Sequence, residues 1–104
     1  MPMSRPESIT DEDIDRWSKI IEQDNQLYPQ VSASPIIREV CYAGLWLSEE
    51  LKKVECPESL IVRIRWTAGA LSFGRDIWKV HQDILQKYKD NELLFEEDPD
   101  EIKN

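Results

Sequence analysis

Few residues in this chain carry reactive chemistry, and their spacing limits what they can do. There are two cysteines, Cys41 and Cys56, and one histidine, His81. That set is too small for a zinc site. A di-iron bundle needs Glu-x-x-His on two helices, but Trp78 stands three places before His81. The Asp-x-Asp-x-Asp-Gly pattern of a calcium loop is missing. Cys41 lies in an apolar belt, where a thiol is inert. Cys56 precedes a helix start, where the dipole favours a thiolate. About seven helical turns separate Cys56 from His81, so one chain cannot pair them as nucleophile and base. His81 falls on an apolar stripe between Trp78 and Leu85 and reads as a core histidine with one hydrogen-bonded nitrogen. Adjacent acids such as Glu49 and Glu50 do not face each other on a helix and make no acid–base pair. Gly69 and Gly74 share a P-loop's spacing, but Arg75-Asp76 follows them in place of Lys and Ser/Thr. The expectation is a protein without catalytic residues, metal or cofactor.

Helices must position whatever remains. Only three glycines occur, and no Asn-Gly or Asp-Gly hairpin signal. Thr10 followed by Asp11, Glu12 and Asp13 is a helix start, with a capping hydroxyl and acids in the positive first turn. Apolar residues at helical spacing predict helix one over 11–28, ending before Pro29. Within it Asp24 lies on the inner stripe. Ser34-Pro35 opens helix two, over 35–55, which is apolar nearly all round from Cys41 to Leu47. Pro57 opens helix three, over 58–91, with two apolar stripes. One includes Leu60, Ile64, Trp78 and Leu85; the other runs Val62, Trp66, Phe73, Ile77. Residues 1–9 read as a loose arm, 10–95 as one helical domain and 96–104 as an acidic mobile tail. Leu93-Leu94-Phe95 is an apolar group placed to dock on the core or on a partner.

Helix three poses a problem of length. Unbroken, it would be roughly 50 Å long, while a compact globule of this size is roughly 33 Å across. Either it breaks at Gly69 or Gly74, or the overhang packs on a second copy. The fold expected is all-α: a three-helix unit dominated by an antiparallel helical hairpin with a long last helix, pairing into a homodimeric bundle. Gly44, Gly69 and Gly74 would let backbones approach, with Trp66 and Phe73 packing beside them. Trp17, Trp66 and Trp78 read most simply as core.

The formal charge is −8, which argues against direct nucleic-acid binding and against an anionic membrane surface. No apolar run is long enough to cross a membrane, and nothing behind the first residues reads as a signal peptide. Fifteen residue steps separate the cysteines, roughly 22 Å on one helix, too far for a disulfide; a cytoplasmic protein is expected. Residues 57–91 are net basic, through Arg63, Arg65, Arg75, Lys79, Lys87 and Lys89, while both ends of the chain are acidic. The simplest pairing sets acidic helix one and the tail against the basic face of helix three. Tyr42 and Trp46 form a candidate aromatic patch, exposed or buried between subunits, and with Arg63, Arg65, Arg75 and Lys79 they are the candidate surface for an unidentified protein partner. The function expected is a small, non-catalytic interaction or regulatory protein. The alternatives are an acidic mimic of nucleic acid that inhibits a DNA- or RNA-binding protein, and a ligand-binding bundle or cryptic enzyme built on His81 beside Trp78.

Overall fold

The computed structural model describes residues 5–23 and 35–92 and is all-helical over them. Four helices follow in order: α1 Asp11–Gln23, α2 Pro35–Lys53, α3 Glu58–Ser72 and α4 Ile77–Lys89. The first two starts match the sequence reading. Residues 24–34, with Asp24 and Ser34, and the tail from Leu93 lie outside the described residues. No helix among the described residues is long and apolar enough to cross a membrane.

The local chemistry of each end is visible. Thr10 and Asp13 form a reciprocal capping box: the Asp13 amide donates to Thr10 Oγ1 at 3.2 Å, and the Thr10 amide donates to Asp13 Oδ2 at 3.0 Å. That backbone bond holds the Asp13 carboxyl below its usual range, with help from Arg16. α2 closes in a Schellman motif. Glu55 takes a left-handed φ of 60°, its amide reaches the Lys52 carbonyl, and the Cys56 amide reaches back to Leu51. α4 ends the same way, with Asn91 at φ 57° and the Glu92 amide on the Lys87 carbonyl.

The expected third helix is two helices. It ends at Ser72, Gly74 adopts φ +77°, and Asp76 caps the start of α4 by accepting from the Lys79 amide at 3.2 Å. Gly74 therefore makes a turn and does not pack helices together. Gly69, by contrast, stays inside α3. The break resolves the length problem within one chain. Each half is now about 20 Å long, and α4 folds back to pack on both α2 and α3.

Two joined apolar clusters fill the interior. One contains Leu47, Leu51, Cys56, Ile61, Ile64, Ala68, Ile84 and Leu85 from α2, α3, α4 and the α2–α3 turn. The other contains Trp17, Ile21, Tyr42, Ala43, Ile77 and Trp78, and it is how α1 joins the body. α1 is held on α2 by charge as well. Arg16 donates to Glu49 at 2.7 Å, and the Trp17 indole donates to the other oxygen of Glu49 at 2.8 Å. The acidic first helix thus pairs with α2, where the sequence reading set it against helix three.

The turn yields a prediction. Gly74→Ala must hold a Cβ in the left-handed region, so it should destabilise the fold by about 1–2 kcal/mol. Urea unfolding followed by circular dichroism checks this.

Candidate functional site

Tyr42 and Trp46 do not form an exposed patch. Tyr42 is buried, its hydroxyl bonded to Ser18 at 2.8 Å and receiving the Arg38 guanidinium. Trp46 is half-buried and meets Trp78 edge-on at 6.0 Å between ring centroids. Trp17 and Trp78 lie 6.5 Å apart in the same cluster. These rings are the core where α1, α2 and α4 meet, within one chain. An acid that the sequence reading passed over fixes them. Glu39 is buried; it accepts the Trp78 indole N–H at 3.0 Å and is paired with Arg5. The clue in the sequence was a lone carboxylate two residues before the apolar belt.

The basic residues do not share one face, because the break separates them. Arg63 and Arg65 are half-buried on α3, while Arg75 in the turn and Lys79 on α4 are exposed. Of these four, Arg65 lines the main concave surface. Its guanidinium lies across Gly44, with Nε 3.4 Å from where a Cβ on that glycine would stand.

That surface is a groove of about 470 Å³ along α2 and α3, closed at its floor by His81 of α4. Val40, Cys41 and Gly44 form one wall; Val62, Arg65, Trp66, Gly69, Ala70 and Phe73 form the other. Four of the five residues expected to pack a dimer, Gly44, Gly69, Trp66 and Phe73, meet here. Trp66 was expected in the core and is instead 76% exposed, and Phe73 is 72% exposed. Once α4 folds back, it fills the inner side of α3 with Ile84 and Leu85. The Val62–Trp66–Phe73 stripe is then left on the outside.

The reactive groups in the groove are quiet. Burial raises the Cys41 thiol above its usual range, against the opposing pull of Arg65 and Arg38, so it stays protonated and a poor nucleophile. The Cys56 and Cys41 thiols are both free. His81 is fully buried. Its Nδ1 sits 2.7 Å from the Ile77 carbonyl, which only accepts, so Nδ1 carries the proton. Nε2 then presents a lone pair, and no described residue meets it. No group of three or more metal-ligating side chains occurs among the described residues. Trp78, the expected flank of a ligand pocket, is packed solid among other rings.

Over the described residues these features define a four-helix, all-α fold with an open apolar groove. The chain matches no protein-family model, no curated protein and no solved structure.

Two predictions follow from the buried polar groups. Glu39→Ala strands the Trp78 indole N–H and releases Arg5; it should cost about 2–3 kcal/mol in urea unfolding. Burial, and secondarily the nearby Arg65 charge, hold His81 below its ordinary value of 6.5, outweighing the Ile77 carbonyl. The unfolded chain therefore takes up this proton first as pH falls. The neutral ring's contribution is complete above 6.5 and is lost as pH drops towards the lower folded value. Between about pH 7.5 and pH 5.5 the wild type should lose stability relative to His81→Gln, read as unfolding free energies at each pH.

Proposed function

We propose that this is a small, non-catalytic interaction or regulatory protein that acts as a homodimer. In this reading the α2–α3 hairpins of two chains pair through their grooved faces and close into a larger bundle. The observation that carries it is the exposure of two aromatic side chains that line the groove, Trp66 at 76% in α3 and Phe73 at 72% at its C-cap. Contiguous exposed aromatics on a folded domain mark a binding surface. A fully buried aromatic removes roughly 150–250 Å² from water. Trp66 and Phe73 alone therefore offer about 300 Å² per chain, against about 800 Å² per partner in a stable interface. Val62, 51% exposed, extends the same stripe. The protonated Cys41 and the tied His81 argue for recognition over catalysis. Two free cysteines fit a reducing compartment such as the cytosol.

Supporting contacts for a different protein partner move with the surface. Tyr42 and Trp46 leave it; Trp66 and Phe73 take their place beside Arg65. The acidic-mimic alternative has lost part of its charge to internal structure, since Asp13, Glu39 and Glu49 are committed to caps and pairs.

Sedimentation equilibrium over a wide concentration range tests the reading. The expected result is a reversible dimer whose Kd lies within that range; a monomer throughout would overturn it.

A further inference from the structure

We infer that α3 of one chain lies antiparallel on α3 of a second copy, in a single register that seats each Trp66 over the other chain's Gly69. This rests on the homodimer reading above and specifies how the dimer is made. The two-fold axis passes between Thr67 and Ala68. Three features of the groove carry the register.

The first is self-complementarity along α3 and its C-cap residue, Phe73. In a two-fold interface, if residue i meets j, then j meets i. About the point between Thr67 and Ala68, position 66 is matched with 69, 65 with 70, and 62 with 73. The pairs are Trp with Gly, Arg with Ala, and Val with Phe. All six side-chain positions line the groove. In the first two, a large group meets a small one, the condition for two helices to interlock. The inner residues of the same helix, Ile61, Ile64 and Ala68, are buried in the chain's own core and take no part.

The second is a vacancy under the knob. A Cβ placed on Gly69 would meet nothing within 4 Å. Among the described residues, Gly69 therefore serves no close side-chain contact. A glycine in a helix interior costs about 1 kcal/mol relative to alanine. Here that cost leaves an open place in the groove wall beside the exposed Trp66.

The third is the chemistry of the groove wall. It holds a guanidinium, Arg65, among apolar side chains. An indole suits both. Its ring face attracts a guanidinium, and its body is apolar. Trp66 is the exposed tryptophan that the same face supplies.

The test uses the full chain. Trp66→Ala should weaken dimerisation by about thirtyfold or more, the scale of a lost hot-spot aromatic. Gly69→Leu fills the open place at that position and should weaken it comparably, while helix propensity keeps the monomer as stable as wild type or more so. Circular dichroism and urea unfolding confirm that both variants fold. Register is read separately: Val62→Cys chains mixed with Phe73→Cys chains under mild oxidation should give a 62–73 interchain disulfide, identified by peptide mass spectrometry. A wild-type dimer that survives both substitutions, or that fails to form the 62–73 bridge, overturns the register and leaves the homodimer standing. A wild type that is monomeric throughout overturns the homodimer and the register together.

Discussion

The chain reversal between Phe73 and Asp76 is the constraint on which the rest of this structure depends. A continuous helix from Glu58 onward could not be covered by the remaining chain. Gly74 supplies the one left-handed step, and Asp76 restarts the helix by capping it. With α4 folded back, Ile84 and Leu85 meet Leu47, Leu51 and Ile64, and Trp78 reaches Trp17 and Tyr42. The same reversal carries His81 to the floor of the α2–α3 groove.

Burial of polar groups in this small core is handled by pairing. Glu39 gives the Trp78 indole an acceptor and is itself met by Arg5. Glu49 plays the corresponding part for Trp17 with Arg16, nearer to solvent. Each carboxylate therefore fixes one tryptophan and one arginine, and together they fasten the N-terminal segment to α2. Such pairs add geometric definition more than stability, since desolvation offsets much of the attraction. The exposed ion pairs, such as Lys52 with Glu58 at 3.7 Å, add little. The groove is different: no described residue meets His81 Nε2 there, and large apolar side chains face water.

Much of the local structure was legible from residue types. The Thr10 cap, the start of α2 at Pro35 and the start of α3 after Pro57 are short-range signals whose partners lie within one turn. The core assignments of Trp17 and Trp78 also follow from stripe periodicity. Trp66 and Tyr42 went the other way. Periodicity shows that a helix has two apolar faces but not which face its neighbours will occupy. α3 has apolar residues on both sides, and only the path of α4 makes one side inner and the other outer. The groove was legible as a set of small and aromatic residues, Gly44, Gly69, Trp66 and Phe73, without the knowledge that Cys41 and His81 complete it.

What the sequence determined by itself was the helical class, the helix starts and the need for helix three to break or to find a partner. Those depend on capping, on proline and glycine, and on length, all local or arithmetic properties. The tertiary structure decided between the two glycines. Gly74 became the turn and Gly69 remained helical, because reversal at Gly74 lets α4 bury Ile77 and Trp78 against α1 and α2. It also decided that the charged segments pair through α1 and α2, and that the aromatic stripe of α3 faces outward. Those outcomes rest on which surfaces can be covered at once by a chain of this length, a competition that no single stretch of residues contains.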